Sequence, residues 1–98
     1  MREYSLEVSP SFWRDLELAL DYIAYELCNP IASKKLYRKV TTKINSLRFA
    51  PKMSNIKDDL YSAKVKGYRI IYKVIDDKSI IRLLHFWCSR RNIRKLLG

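Results

Sequence analysis

Basic side chains that could bind phosphate, and one histidine that could move a proton, are concentrated toward the end of the chain. Metal-free cleavage of RNA requires a deprotonated 2′-OH, a phosphate whose negative charge is stabilised, and a protonated leaving oxygen. Lysine and arginine stabilise phosphate charge, and histidine is the usual proton carrier near neutral pH. The residues that could supply this chemistry are Lys64, Lys66, Arg69, Arg82, His85 and Arg90.

The alternation of apolar and polar residues determines which of these side chains share a face. Lys64 and Lys66 lie two positions apart in one predicted strand, so they point to the same face. Arg69 and Lys73 share a face of the next strand for the same reason. Whether the two sets meet depends on the strand register across Gly67, which the sequence leaves open.

Each candidate also has a structural interpretation. Lysines on the outer face of a sheet are usually only solvated. Arg69 could form a cation–π contact or an ion pair, and His85 could be held by a structural hydrogen bond. Arg82 interrupts an apolar strand, so it needs a carboxylate or a polar concavity. The aromatic residues that could stack bases or instead fill the core are Tyr68, Tyr72, Phe86 and Trp87.

The positive charge of the chain is unevenly distributed. Residues 60–98 hold ten Lys/Arg and two acids, a net charge of +8, whereas residues 1–59 hold ten and eight, a net charge of +2. A basic surface of this density indicates a polyanion or an acidic partner, with nucleic acid the first candidate. A second basic segment carries Lys34, Lys35, Arg38, Lys39, Lys43 and Arg48 without any acid.

Two helices are predicted after a short first strand. The period-two pattern of residues 3–9 is typical of a half-buried strand. Ser9-Pro10 begins a helix that extends to about Cys28, and Asn29-Pro30 begins a second that ends at Ala50-Pro51. Such neighbours fold back as a hairpin. The first helix has an acidic outer face (Asp15, Glu17, Asp21, Glu26), so ion pairs with the basic second helix could orient the two.

The remainder of the chain predicts a loop at residues 51–59, with room for one helical turn, and then three strands. Gly67 and Asp76-Asp77-Lys78 are turn signals between those strands. The apolar run Ile80–Trp87 predicts a central strand covered on both faces, and Ser89–Leu97 predicts a short helix. The fold class is therefore α+β: a helical hairpin packed on one face of a four-stranded, mostly antiparallel sheet.

Composition excludes several classes of protein. We expect one domain over residues 1–98, without a membrane span because no run of 18 apolar residues exists. The charged N-terminal segment lacks an apolar signal core, so we expect the protein in the cytoplasm. Cys28 and Cys88 match no CxxC spacing, which predicts ordinary thiols. No phosphate-binding glycine pattern is present, and we expect no metal and no cofactor.

Three segments together resemble toxins of the RelE/ParE superfamily, from bacterial type II toxin–antitoxin pairs. They are Ser9-Pro10 with Asp15-Leu16 and Asp21-Tyr22-Ile23-Ala24, then Gly67-Tyr68-Arg69-Ile70-Ile71-Tyr72-Lys73-Val74 with Asp76-Asp77, then Arg82-Leu83-Leu84-His85 with Ser89-Arg90-Arg91-Asn92 and Leu96-Leu97. The resemblance implies a growth-inhibiting toxin that is neutralised by a cognate antitoxin. Because the chain has a net charge of +10, we expect that antitoxin to have an acidic tail.

The resemblance also implies a mechanism and a site. RelE-like members cut mRNA in the ribosomal A site, and we predict this endoribonuclease activity first, with ribosome and mRNA as partners. Arg69 and Arg90 would clamp phosphate, Lys64 would supply charge, and His85 would carry the proton, since no tyrosine follows Tyr72. The alternatives are ParE-like inhibition of DNA gyrase without nuclease activity, or an inactive member that only binds protein. Further RNA contacts are predicted for Lys66, Lys73, Arg82, Arg91 and Arg94.

Overall fold

Both helices begin at the caps that the sequence predicts. In the computed structural model, which describes residues 3–88, Ser9 Oγ accepts a hydrogen bond from the backbone nitrogen of Phe12 at 3.2 Å. Asn29 Oδ1 accepts one from the nitrogen of Ala32 at 3.1 Å. A proline follows each cap at the first helical position, where its missing N–H is not needed. Local sequence therefore determines where each helix starts.

The elements form a five-stranded sheet with a helical hairpin on one face. The sheet order is β1-β5-β4-β3-β2, with β1 parallel to β5 and the other neighbours antiparallel. The bounds are β1 Ser5–Val8, α1 Pro10–Asp21 with a π-helical turn Tyr22–Glu26, α2 Pro30–Leu47, β2 Ser54–Lys57, β3 Leu60–Val65, β4 Tyr68–Ile75 and β5 Ile80–Cys88. The α+β class and the hairpin are confirmed.

The core lies between the hairpin and one face of the sheet. Phe12 and Leu16 of α1 and Val40 of α2 are at most 2% exposed and contact the sheet. The sheet side chains that complete this core are Ala63, Val65, Ile70, Tyr72, Val74, Ile81, Leu83 and Phe86. Burial of these apolar groups is the main source of the stability of the fold. Neither helix of the described residues combines the length and apolar character that crossing a bilayer would require.

Tyr72 is a polar side chain within this core. Its hydroxyl donates to the carbonyl of Pro51 and accepts from the backbone nitrogen of Met53 at 3.4 Å. Burial raises the pKa of Tyr72 above its usual value. The side chain therefore anchors the segment between α2 and β2 while remaining neutral.

Three details differ from the sequence prediction. The predicted loop 51–59 contains strand β2, so the sheet has five strands rather than four. This edge strand is mostly exposed and polar, which is why no alternating pattern revealed it. The first helix extends to Glu26, close to the predicted end at Cys28, but its last turn, Tyr22–Glu26, is π-helical rather than α-helical. Cys28, with a φ of +50°, lies beyond it.

Strand β5 lies inside the sheet, as predicted, and the two described helices pack on one of its faces. The third difference concerns the seam between α1 and α2. Ser33 Oγ donates to the carbonyl of Leu20 at 2.9 Å across this seam, and within residues 3–88 no ion pair joins the two helices. The predicted short helix at 89–97 lies outside the described residues.

Candidate functional site

The turn between β3 and β4 determines the register that the sequence left open. Lys66 and Gly67 form this turn with φ angles of +45° and +80°. Two consecutive positive φ angles are typical of the tight turns that join antiparallel strands. The resulting register places Lys64 directly opposite Arg69, and Arg69 opposite Trp87. The basic residues of β3 and β4 therefore do share one face.

This face points away from the helices, and we call it the far face. Because paired residues in neighbouring strands project to the same side, its members follow from the register. Three rows cross the sheet: Ser62, Ile71 and His85; Lys64, Arg69 and Trp87; and Lys73, Arg82 and Glu7. The far face therefore brings together five of the predicted site residues: Lys64, Arg69, Lys73, Arg82 and His85.

Arg69 and Lys64 differ in how firmly the structure holds them. Arg69 is half-buried, and its Nη1 donates to Ser62 Oγ at 3.1 Å. Ser62 is 1% exposed, so this bond also satisfies a buried hydroxyl. Lys64 is exposed and makes no ion pair with the residues that the structure describes. Arg69 has further N–H groups that could bind an anion, and Lys64 adds an exposed positive charge beside it.

Lys73 and Arg82 are neutralised by acids of the chain itself. Arg82 Nε lies 2.8 Å from Glu7 Oε2, and Glu7 is its direct neighbour in the parallel pairing of β1 with β5. Lys73 Nζ lies 3.6 Å from Asp59 Oδ2. Glu7 is therefore the carboxylate partner that the sequence predicts for an arginine within an apolar strand. Neither pair is deeply buried, so each contributes little to stability but does lower the positive charge of the far face.

His85 is held by a carboxylate from α1. Its Nδ1 lies 3.1 Å from Asp15 Oδ2, which also accepts from the backbone nitrogen of Phe86 at 3.3 Å. A bulge precedes this point: Ile71 pairs with His85 and Tyr72 with Leu83, so Leu84 is an extra residue in β5. With Nδ1 facing the carboxylate, the other ring nitrogen, Nε2, is the one that could exchange a proton.

Asp15 is the site residue that sequence analysis missed. The sequence pattern places Asp15 on the acidic outer face of the first helix, but the side chain is half-buried and points to β5. The signal was present, since Asp15 is three residues after Phe12 and four before Ala19, both on the apolar stripe. An acid at such a position needs a hydrogen-bonding partner in the fold.

The other predicted site residues lie elsewhere. Lys66 is exposed in the β3–β4 turn, and Arg90, Arg91 and Arg94 lie outside the described residues. Three of the aromatic residues considered for base stacking, Tyr68, Tyr72 and Phe86, project to the helix side instead. Tyr68 and Phe86 stack on each other there, with ring centroids 4.8 Å apart.

Trp87 is the aromatic residue on the far face. Its Nε1 is buried and makes no hydrogen bond to the residues that the structure describes. In the part of the chain described, Cys28 and Cys88 are free thiols, and no three His, Cys, Asp or Glu side chains come together as metal ligands.

A second candidate surface is the helical hairpin. Large apolar side chains are strongly exposed there, among them Tyr25 at 76%, Ile31 at 68% and Leu18 at 64%. Nearer the sheet, a groove of about 180 Å³ separates α1 from α2 and is lined by Trp13, Tyr37 and Ile44, among others. Exposed apolar patches with aromatic residues mark protein interfaces. The hairpin is therefore a surface suited to binding protein.

Comparison with known proteins identifies a protein family and solved structures that are similar to this chain. Residues 6–93 match the family model described as ParE toxin of type II toxin-antitoxin system, parDE. A comparison with curated proteins gives no match.

Solved structures match the fold at low sequence identity. A chain of the chromosomal ParDE toxin–antitoxin system from P. aeruginosa has a TM-score of 0.71 at 14% identity, over 88% of this chain and 96% of that chain. A chain of the archaeal RelE–RelB complex from Pyrococcus horikoshii OT3 has a TM-score of 0.64 at 22% identity, over 92% and 99%. A double mutant of E. coli RelE in the free state has a TM-score of 0.61 at 17% identity, over 89% and 84%.

Proposed function

Because the chain belongs to the ParE toxin family of type II toxin–antitoxin systems, within the RelE/ParE superfamily, we propose that it inhibits growth by binding DNA gyrase without cleaving RNA. It acts in the cytoplasm and is neutralised by an antitoxin with an acidic tail. The match of residues 6–93 to the family model shows this membership. The choice between gyrase and ribosome is the part that we propose.

The observation that carries this choice is the exposed apolar surface of the hairpin. Tyr22, Tyr25 and Ile31 are each more than half exposed, at 54%, 76% and 68%. Exposing such side chains to water is unfavourable unless a partner covers them. The far face is a weaker candidate for binding a substrate, because acids of the chain neutralise Arg82 and Lys73 and because Asp15 holds His85. A protein target fits this distribution better than a substrate.

A supercoiling assay tests the proposal. Gyrase would be incubated with relaxed plasmid, ATP and increasing amounts of the full-length protein. We expect supercoiling to be inhibited, and the double variant Tyr25→Ser/Ile31→Ser to need about tenfold more protein, since apolar contacts dominate binding energy. The matched control is Phe49→Ser/Met53→Ser, which also removes two exposed apolar side chains, at 52% and 53% exposure, but beyond the C-terminal end of α2 rather than near its start, where Tyr25 and Ile31 lie. Undiminished supercoiling in the presence of folded wild-type protein would refute the proposal.

A second candidate, ribosome-dependent mRNA cleavage, is favoured by the far face. Lys64 and Arg69 are directly opposite each other there, and Asp15 orients His85 in the neighbouring row. Arg69 and Lys64 would hold the phosphate while His85 Nε2 moves the proton. Primer extension on an mRNA in a purified translation system distinguishes the candidates. New 5′ ends within codons, found only with ribosomes and the toxin, would replace the gyrase proposal with this one.

A further inference from the structure

The outward side of α2 carries a continuous row of cations, which we call the basic face: Lys34, Lys35, Arg38, Lys39 and Lys43. The first four are exposed and Lys43 is half-buried. The buried side of the same helix is formed by Leu36, Val40 and Leu47, so the cations lie on the opposite side or at its margin. Within residues 3–88, none of the five forms an ion pair.

The basic face opposes the local stability of the helix that carries it. Lys34 and Arg38, Lys35 and Lys39, and Lys39 and Lys43 are pairs of like charge four residues apart, an arrangement that repels. A charge pattern that breaks a local rule, without compensating acids among residues 3–88, is typical of a binding surface.

The chemistry of the basic face fits a polyanion better than the apolar core of a protein interface. Four of its five cations are lysines, which are depleted in the cores of protein interfaces. From Lys34 to Lys43 the helix rises by roughly 14 Å. Along that length a DNA duplex presents about eight phosphate charges. The major groove of B-form DNA is wide enough for an α-helix, whereas the deep, narrow groove of duplex RNA is not.

We propose that the basic face of α2 binds the phosphate backbone of duplex DNA. This goes beyond gyrase inhibition, because it adds a second macromolecule that the chain contacts directly and without gyrase. The apolar hairpin surface and the basic face are built on the same two helices. A toxin that binds a DNA-bound enzyme through one surface can therefore contact the DNA through the other.

Fluorescence anisotropy with a labelled DNA duplex of about 20 base pairs tests this inference without gyrase. The full-length protein is titrated at several salt concentrations. The variant Lys35→Gln/Arg38→Gln/Lys39→Gln should bind at least about tenfold more weakly, and the slope of log affinity against log salt should fall by about 2 to 3, since each phosphate contact contributes about 0.9. Because the substitutions remove repulsion within α2, the variant should melt at a temperature no lower than wild type.

The matched control removes the same charge from elsewhere. Arg14→Gln/Lys57→Gln/Lys78→Gln replaces three exposed cations outside α2 and should weaken binding by less than about threefold. Equal losses in the two variants would mean that net charge, not the basic face, attracts DNA, and would overturn the inference. So would an unchanged affinity of the α2 variant. Binding of duplex RNA, or of a poly-glutamate peptide, as tightly as the DNA would overturn the choice of partner.

Discussion

Asp15 Oδ2 on α1 lies 3.1 Å from His85 Nδ1, and the same oxygen accepts a hydrogen bond from the backbone nitrogen of Phe86 at 3.3 Å. Strand β1 pairs with β5 only as far as Leu83, so among residues 3–88 no strand borders the edge of β5 beyond that point on this side. A side-chain carboxylate takes the place of the missing strand and satisfies a backbone donor that would otherwise lose its partner. One acid therefore joins the hairpin to the far face.

Replacing Asp15 should destabilise the protein. Asp15→Ala removes the acceptor for Phe86 N–H and for His85, so we expect the free energy of unfolding to fall by about 1–3 kcal/mol. His85→Ala leaves the bond to Phe86 in place and should cost less. Urea denaturation of both single variants and the double variant gives the coupling between the side chains, expected at about 0.5–1.5 kcal/mol. Strictly additive effects would show that the two side chains do not interact in solution.

Tyr72→Phe should lower stability and change its dependence on alkaline pH. The hydroxyl donates to Pro51, so its loss leaves a buried carbonyl unpaired and should cost about 1–2 kcal/mol. Burial raises the pKa of Tyr72 in the folded state. The unfolded chain ionises first, near pH 10, so wild-type stability is unaffected by this group below about pH 10 and falls as pH rises toward the folded pKa.

Urea denaturation at pH 8 and near pH 11 measures this effect. Tyr72→Phe should lose less stability between the two pH values than wild type, because it has no hydroxyl at this position to ionise. Tyr25→Phe is the matched control, since Tyr25 is 76% exposed. If Tyr25→Phe and Tyr72→Phe changed the alkaline loss equally, burial of Tyr72 would not be its cause.

The two residues of the β3–β4 turn should respond to substitution in opposite directions. Gly67 has a φ of +80°, and a Cβ there would meet no atom within 4 Å, so Gly67→Ala suffers backbone strain without a clash, about 1–2 kcal/mol. Lys66 already bears such strain at +45°. Lys66→Asn should therefore stabilise the protein by a few tenths of a kcal/mol, since asparagine tolerates this conformation better. Thermal melting of both variants checks the signs, and a lower melting temperature for Lys66→Asn would contradict the argument.

Local sequence predicted the parts of the fold that depend on neighbouring residues. The caps at Ser9 and Asn29 are confirmed because a side-chain oxygen, a following proline and an apolar stripe act within one turn. The turn at Gly67 is also confirmed. The register across it was not predictable, since it depends on Lys66 also adopting a positive φ, which a lysine rarely does.

The rest of the candidate site depends on contacts distant in sequence. Asp15 and His85 are 70 residues apart, and only the packing of α1 along the free edge of β5 brings them together. Glu7 neutralises Arg82 because β1 runs parallel to β5, a pairing that no local pattern specifies. Strand β2 is polar and short, so it is formed by pairing with β3 rather than by its own sequence. The predicted roles of Arg90, Arg91 and Arg94 stay predictions.

Arg69→Ala should leave growth arrest intact if the hairpin carries the activity. Arg69 lies on the far face, away from the exposed apolar side chains of the hairpin. The substitution deprives the buried Ser62 hydroxyl of its donor, so we expect stability to fall by about 1 kcal/mol, and the variant must first be shown to be folded. Growth is then measured after induced expression, together with a reporter of DNA damage. Persistent arrest with damage signalling agrees with gyrase inhibition, whereas a folded Arg69→Ala variant that no longer arrests growth would place the activity on the far face, where Arg69 and Lys64 would bind RNA.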